Sequence, residues 1–333
     1  MPVARRRRLI LCAAALLAAP GSGCTQDAGR IRKIGWLTAG SPTSHARPLA
    51  AFREGLKEHG WVEGRNLVIE LRWAEGTLDR LPELAAETVK AKPDVILTAS
   101  NTVTLAAQKA TSTIPIVMAT GSDPVADGLA GSLARPGGNV TGLTGFYEST
   151  PHKMLELVAG LVPRNARVVA LVDGRSSVAL MRQEMRSKLE QSAVAAGLRL
   201  QWLDAATTEA MIEAVAGLAR DRPAALLVLP GPQVFAAGSR IVESARPLRI
   251  PVVYPFEELV EAGGLMSYAV DVPESYRRAA RYVDLILKGA KPGELPIEQP
   301  TRLALVINMA TAKAQGIALP PSLLARADRR VGE

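Results

Sequence analysis

Short apolar runs alternate with amphipathic segments along most of the chain, and this alternation is typical of an α/β fold with parallel sheets. In the first half, Leu49, Phe52 and Leu56 show the spacing of one helix face. The strands predicted for this half lie at 33–38, 66–73, 94–98 and 114–119, and the helices at 48–59, 78–90 and 102–110. This half therefore predicts one complete α/β lobe.

The second half repeats the same order of elements. Its predicted strands lie at 168–172, 198–203, 225–229 and 250–254, with helices over 178–196, over 208–220 and before the last strand. Prolines stand at equivalent places in both halves, at Pro93 and Pro223 and at Pro115 and Pro251. Prolines also arise independently at strand starts, where a missing N–H is tolerated, so duplication and coincidence are both open. Either origin predicts two Rossmann-like lobes.

Three segments are predicted to connect the lobes as a hinge. They are the turn-rich stretch 135–142, the segment 265–271, and the segment 296–300, which leads into a strand at 302–307. An amphipathic helix is predicted over 273–288. We expect lobe one to comprise 32–143 and 271–296, lobe two to comprise 146–266 and 297–328, and a tail at 329–333. Three crossings would let the lobes bend with little twist.

The first 23 residues have the layout of a secretory signal peptide. Four arginines, Arg5 to Arg8, precede an apolar run at 9–19 that is too short to span a bilayer. Small residues then precede Cys24, which resembles the lipobox of bacterial lipoproteins, where the cysteine carries the lipid. Gly21 stands where that motif usually has Leu, so a free periplasmic product is also open. We expect the mature chain in the periplasm or on the outer face of the bacterial membrane.

Composition narrows the class of protein further. The 333 residues, 48% apolar and 22% charged, suit two soluble domains. The net charge of +8 includes the four leader arginines; without them, 36 of the 40 basic residues remain against 32 acidic ones. This balance is too even to track a phosphate backbone, which argues against nucleic acid as a partner. Only Cys24 follows the leader, so we expect no disulfide within the mature chain.

Several long phrases make the chain similar to a known family. They are SDPVADGL at 122–129, ARPGGNVTGLT at 134–144, GGLMSYAVD at 263–271, AARYVDLILKGAKPGELPIEQPT at 279–301, LVINMATAKAQGI at 305–317 and PPSLLARAD at 320–328. Over about 31–328 the chain thereby resembles bacterial ABC-importer substrate-binding proteins of the tryptophan/tyrosine-binding type. It departs from the family at its end, where Ala327-Asp328-Arg329-Arg330-Val331 replaces the usual ADEVIE.

The resemblance implies a type 1 periplasmic-binding-protein fold and a function in import. Such proteins capture a small molecule between two lobes and deliver it to an ABC permease with a cytoplasmic ATPase. Characterised relatives are associated with aromatic amino acids. We expect a monomer without a cofactor. A sensory protein that reports the ligand to a membrane receptor would use the same clamp and is an alternative, as is a two-lobed enzyme.

Candidate ligand contacts follow the strands, because ligands of open α/β sheets bind beyond the carboxyl ends of the strands. Hydroxyl groups and helix N-termini suit a carboxylate, aspartates suit an ammonium group, and aromatic rings suit a flat ligand. In lobe one the candidates are Ser41, Pro42, Ser100, Asn101, Thr102, Thr120, Ser122 and Asp123. In lobe two and the second crossing they are Asp173, Gly231, Pro232, Tyr254, Phe256 and Asp271.

Most of these candidates also have a purely structural interpretation. Helix capping is open for Ser100, Asn101, Thr102 and Asp173. Asp123 and Asp271 could instead fix turns before prolines, and Phe256 could fill the core. Phe146 and Tyr147, after the first crossing, could line the cleft or pack at the hinge.

The sequence has no motif of a familiar catalytic site. GxSxG, HExxH, GxxxxGK[ST] and GxGxxG are all absent. His45, His59 and His152 are scattered without metal-ligand spacing, and we expect all three at the surface. We therefore expect neither catalysis nor a metal site.

Overall fold

The sheet of lobe one carries five parallel strands, in a computed structural model that describes residues 30–145, 150–175, 183–299 and 303–333. The strands are β1 (Arg32–Thr38), β2 (Leu67–Trp73), β3 (Val95–Thr98), β4 (Ile116–Met118) and β5 (Val140–Gly142). Their spatial order is β2-β1-β3-β4-β5. β3 and β4 are buried over their whole length, as expected of parallel strands with both faces covered.

Lobe two contains a seven-stranded sheet. Its strands are β6 (Arg167–Asp173), β7 (Arg199–Ala205), β8 (Ala225–Val228), β9 (Val252–Tyr254), β10 (Met266–Ala269), β11 (Ala304–Asn308) and β12 (Arg329–Val331). The order is β12-β11-β10-β9-β8-β6-β7. The first four strands of each half have the same winding, β2-β1-β3-β4 and β7-β6-β8-β9. The common plan that the sequence indicates for the two halves is therefore confirmed.

Helices connect successive parallel strands. In the first half they are α1 (Ala46–Glu58), α2 (Leu81–Lys90) and α3 (Asn101–Ala110). The second half contains α4 (Thr150–Ala159), α5 (Gln183–Ala195), α6 (Thr208–Gly217), α7 (Pro232–Ala236), α8 (Gly238–Ala245) and α9 (Glu257–Glu261). The rest of the chain adds α10 (Val272–Leu287), α11 (Met309–Gln315) and α12 (Pro321–Leu324). Within the described ranges, no helix has both the length and the apolar character of a membrane span.

Helix α10 returns to lobe one and packs against α1. Its apolar face is buried, and Gly55 of α1 permits a close approach, because a Cβ at that position would lie 2.4 Å from the carbonyl oxygen of Arg277. Beyond the end of α1, the indole N–H of Trp61 donates to Asp284 of α10 at 2.9 Å. These contacts hold α10, and with it the end of the second crossing, on lobe one.

Three connections join the lobes, after β5, between β10 and α10, and before β11. The first and third run side by side, because Leu143 and Glu298 form a parallel bridge. The N–H of Thr144 donates to the carbonyl of Glu298 at 2.9 Å, and the N–H of Glu298 donates to the carbonyl of Gly142 at 2.9 Å. The prediction of two α/β lobes with a three-crossing hinge is confirmed.

Three details of the sequence prediction are wrong. Residues 140–142 of the expected first crossing form β5 instead, because they pair with β4 before the chain leaves lobe one. The second sheet is not wholly parallel, since β10 leads out of lobe two and β11 leads back into it, so that these neighbours run antiparallel. The expected tail at 329–333 contains β12, which pairs with β11 in the register Val306 to Arg329.

Candidate functional site

A cavity between the lobes encloses about 600 Å³ of empty space, counting the part that is open to solvent. Lobe one lines it with residues that follow β1, β3 and β4, and lobe two with residues that follow β8 and β9. Helix α10 adds Val272 and Tyr276. The carboxyl ends of strands from both sheets thus meet at one place, which we call the interlobe cavity.

Seven of the predicted ligand contacts line the interlobe cavity. Ser100 and Asn101 begin α3, and Thr120 and Ser122 follow β4. The three from lobe two are Gly231, Pro232 and Phe256. The rule that ligands bind beyond the carboxyl ends of strands therefore points to the edge of each sheet that lines this cavity. Whether these residues contact a ligand stays a prediction.

The other seven candidates do not line this cavity. Ser41 lines a neighbouring cavity that shares Phe235 and Phe256 with it, and which we call the rim cavity. Pro42 follows Ser41 in the turn before α1, and Thr102 is the second residue of α3. The remaining four are Asp123, Asp173, Tyr254 and Asp271.

Two of these aspartates hold local backbone. One carboxylate oxygen of Asp123 accepts the N–H groups of Val125 and Ala126, each at 2.9 Å, which fixes the turn after β4. Asp271 caps α10, since its side chain accepts the N–H of Glu274 at 2.9 Å. In this conformation, Asp123 therefore fixes a turn and Asp271 caps a helix, as their structural interpretation predicts.

Asp173, at the end of β6, is buried with 1% of its surface exposed. It accepts the side-chain amide N–H of Gln233 at 2.7 Å, and the backbone N–H groups of Gln233 and Arg175 at 3.1 Å each. Burial raises the pKa of the Asp173 carboxyl, and the hydrogen bonds from Gln233 act in the opposite direction. The carboxylate lies directly behind Gly231, where a Cβ would be 2.9 Å from Asp173 Oδ2. Asp173 thus supports the wall of the cavity from behind.

Tyr254 belongs to the core of lobe two and not to the cavity wall. It is 2% exposed and packs against Gly264, where a Cβ would lie 2.7 Å from the tyrosine ring. Of the remaining predictions, Cys24, the leader at 1–23, Phe146 and Tyr147 lie outside the described residues.

His45 was expected at the surface, but it lines the interlobe cavity and is only 3% exposed. Its Nε2 lies 2.8 Å from Thr38 Oγ1 and its Nδ1 lies 3.0 Å from Ser44 Oγ. Burial lowers the pKa of His45 to about 3, so the ring is neutral at physiological pH. His59 is exposed and His152 is partly buried against Ser192. The surface prediction thus describes His59 and is wrong for His45.

Aromatic side chains from both lobes form one wall of the cavity. The His45 ring of lobe one meets Phe235 of lobe two edge to face at 4.9 Å, and Phe235 meets Phe256 in the same way at 4.9 Å. Tyr276 stacks on Trp36 at 4.9 Å with ring planes 8° apart. Sequence reasoning missed Phe235 and Tyr276, because both lie in helices where an apolar residue predicts core packing. The sequence did offer one signal for them, because only 4% of the chain is aromatic and each aromatic residue is therefore a candidate for a specific role.

The opposite side of the cavity is polar and lies at the N-terminus of α3. The hydroxyl of Ser122 is buried and has no hydrogen-bond partner among the described residues. Asn101 fixes the backbone there, since its Oδ1 accepts the N–H of Ser122 at 3.0 Å and its Nδ2 donates to the carbonyl of Asp123 at 3.1 Å. Ser100 precedes the helix with a φ of 69° and caps it. Ser122 and the N-terminus of α3 therefore line the same cavity.

Ion pairs hold the lobes together on two sides of the cleft. Arg47 of α1 pairs with Glu261 of α9, and Asp79 of lobe one pairs with Arg175 of lobe two through both guanidinium nitrogens. Hydrogen bonding by Arg175 lowers the pKa of Asp79. The described conformation therefore has the lobes in contact. No cluster of three or more potential metal ligands occurs in the described part of the chain.

The chain is similar to known proteins over most of its length. The family model that matches residues 43–331 is that of ABC transporter substrate binding protein. A tyrosine-binding protein of Clostridioides difficile is 27% identical over 269 residues, which cover 79% of this chain and 74% of that protein.

Solved structures share the same fold. A conserved domain protein of Vibrio cholerae is 26% identical, with a TM-score of 0.82 over 90% of this chain and 100% of that chain. An ABC domain in complex with L-Trp from Streptococcus pneumonia is 24% identical, with a TM-score of 0.80 over 90% of this chain and 99% of that chain.

Proposed function

This chain belongs to the family of ABC transporter substrate-binding proteins, and we propose that it captures an aromatic amino acid in the interlobe cavity for delivery to a membrane permease. The resemblance drawn from the sequence phrases is thereby confirmed at the level of the family. Substrate-binding proteins of ABC importers act outside the cytoplasm, and the family is one of binding proteins and not of enzymes.

We infer an aromatic amino acid as the ligand because one cavity combines an aromatic wall with a polar side. His45, Phe235, Phe256 and Tyr276 present ring edges and faces to the space, and such surfaces favour a planar ring. A ligand that is flat at one end and charged at the other suits this division. The tyrosine-binding relative and the L-Trp complex support the same class.

We place the ligand carboxylate at the N-terminus of α3. Ser122 would donate its hydroxyl, which has no acceptor in the described structure, and the first backbone N–H groups of the helix would add their partial positive charge. Ser100 and Thr120 line the same side. The carboxylate would thus be bound mainly by lobe one.

The ammonium group then points toward lobe two. Direct pairing with Asp173 of lobe two, or with Asp123 of lobe one if the ligand is turned round, stays a prediction, and both carboxylates already accept backbone N–H groups. Asp173 lies behind Gly231, so its negative charge acts on an ammonium group through the thin wall that a glycine leaves. The two lobes would then contact opposite ends of the ligand, which makes closure favourable only when the ligand is present.

Several further properties follow from the sequence and are part of the proposal. The leader at 1–23 directs export, and Cys24 either carries a lipid or begins a free periplasmic chain. The mature protein is a monomer that docks on its permease in the closed form. Closure bends the three connections of the hinge.

Calorimetric titration with L-tryptophan, L-tyrosine and L-phenylalanine tests the proposal, with L-leucine as the non-aromatic comparison. We expect binding of the aromatic amino acids, and Phe235→Ala should weaken it about tenfold or more through the lost ring contact. Leu155→Ala, a buried residue of α4 that does not line the cavity, is the control for a general loss of packing. Binding of L-leucine as tight as that of the aromatic amino acids would contradict the ligand class.

A further inference from the structure

The rim cavity encloses about 1010 Å³ of empty space on the same measure as the interlobe cavity, and it is also lined by both lobes. Lobe one contributes the loop before α1 and Arg47, and lobe two contributes α9 and the start of α8. Arg47 pairs with Glu261 of α9 across it. Lobe one therefore contacts α9 in the described conformation.

Glu258 of α9 lines the rim cavity, and its carboxyl group is shielded from water, which is unusual for an acidic side chain. Both of its carboxyl oxygens are shielded from solvent, and neither has a hydrogen-bond partner among the described residues. Its neighbours Glu257 and Glu261 are both paired with Arg329 of β12. Glu258 is therefore the acid of this helix whose burial is not compensated by a partner.

The charges around Glu258 come from two elements. The backbone N–H of Glu258 itself and the guanidinium of Arg47 favour the ionised carboxylate, whereas Glu257 and Glu261 of α9 disfavour it. The loop before α1 and the start of α8 face the rim cavity with the uncharged side chains of Ser41, Thr43, Ser44 and Ser239. Burial is the largest influence, and it raises the pKa of Glu258 to about 7.

An unpaired carboxylate is costly to bury, and the cost is removed if the group is protonated or if water returns to it. Opening of the lobes would move Arg47 and the loop before α1 away from α9 and would let water in. We propose that Glu258 takes up one proton from water when the lobes close, so that ligand capture becomes stronger as the pH falls. This inference rests on the proposed function, because it concerns closure on a ligand.

The sign follows from the two states. In the open form the pKa of Glu258 returns toward its ordinary value of 4.5, and in the closed form it is about 7. At a pH between these two pKa values, Glu258 is protonated in the closed form and ionised in the open form. The gain in affinity is therefore complete at low pH and is lost as the pH rises through the closed-state pKa.

The test measures the Kd of L-tryptophan and L-tyrosine by calorimetry at pH 5.5 and 7.5. We expect the wild-type Kd to weaken on the order of tenfold over this range, with about one proton taken up per ligand bound near pH 6, from heats in buffers of different ionisation enthalpy. Glu258→Gln is neutral at both pH values and should give equal affinities. This variant also controls for titration of the ligand. Glu243→Gln is the matched control and should keep the wild-type slope, because Glu243 is an exposed acid of α8 whose charge is not among those that act on Glu258.

Three results would overturn the role of Glu258. The first is a wild-type Kd that does not change with pH, and the second is a Kd of Glu258→Gln that changes with pH as much as that of the wild type. The third is ligand binding by the wild type without proton uptake, a result that can be read without any variant. If neither amino acid binds at any pH, the proposed ligand class is wrong, but the role of Glu258 in closure is still open. Small-angle scattering of the free protein then tests that role. A smaller radius of gyration at pH 5.5 than at 7.5 in the wild type but not in Glu258→Gln supports the inference, and an unchanged radius overturns it.

Discussion

The carboxylate of Asp173 accepts two hydrogen bonds from Gln233, one from its backbone N–H at 3.1 Å and one from its side-chain amide at 2.7 Å. Gln233 also donates to the carbonyl of Ala206 at 3.1 Å, so that one side chain connects the loops after β6, β7 and β8. These loops include Gly231 and Pro232 of the cavity wall. A buried acid at the end of a strand therefore supports the wall of the interlobe cavity and does not line it.

Replacing Asp173 by Asn should lower stability by about 1–3 kcal/mol, because an amide N–H then faces donors that need an acceptor. Ligand affinity should fall as well, since the loop with Gly231 loses its support. Urea unfolding and calorimetry measure the two effects. Asp123→Asn is the control, because the retained Oδ1 can still accept the N–H groups of Val125 and Ala126. A variant Asp173→Asn with wild-type stability would contradict the supporting role.

Ser122→Ala should separate binding from stability. The Ser122 hydroxyl has no partner among the described residues, so its removal should change the free energy of unfolding by less than about 0.5 kcal/mol. Ligand affinity should fall about tenfold or more, through the loss of a hydrogen bond to a charged group. Ser100→Ala provides the contrast, because it removes the cap of α3 and should destabilise the protein by about 1 kcal/mol. Unchanged affinity in Ser122→Ala would remove this residue from the site.

His45 should make stability depend on pH on the acidic side. Its pKa is about 3 in the fold and near 6.5 when unfolded. The neutral ring therefore contributes stability above about pH 6.5, and this contribution is lost as the pH falls toward the folded-state pKa. From pH 7 to pH 5 the His45 contribution should fall by about 2 kcal/mol, measured as the difference in pH dependence between the wild type and His45→Gln, because Glu258 acts in the opposite direction over the same range.

The variant His45→Gln should lack this loss, because glutamine does not titrate, and the exposed His59→Gln should keep it. Urea unfolding at the two pH values gives the comparison. Equal pH dependence in the wild type and His45→Gln would show that another group is responsible.

Gly142 should not tolerate a side chain. Its φ is 124°, and a Cβ would lie 2.2 Å from the carbonyl oxygen of Met118 in the neighbouring strand. Gly142→Ala should therefore lower stability by about 2 kcal/mol or more, and should disturb the first connection between the lobes. Gly138→Ala is the matched control, since no atom lies within 4 Å of its added Cβ. Thermal unfolding of the two variants side by side provides the measurement, and equal Tm values would contradict the prediction.

Sequence reasoning worked where the determinant was local. The apolar run at 94–98 predicts β3 because a strand buried on both faces has few polar residues. Ser100 and Asn101 were predicted at the cavity because they directly follow that strand. His45 failed because its neighbours in sequence are polar and small, whereas Trp36, Trp73 and Phe235 come from distant parts of the chain. Asp123 and Asp173 do not line the cavity, because sequence position gives the end of a strand and not the direction of the side chain.

The sequence by itself determined the two α/β halves, the order of their strands and helices, and the family, because periodicity, prolines and long motifs are local properties of the chain. Only the tertiary structure decided which side chains share a cavity, since this depends on how two sheets from distant segments face each other. It also decided the surroundings of Glu258, because its carboxyl oxygens are shielded by residues from distant parts of the chain, which the sequence around α9 does not reveal.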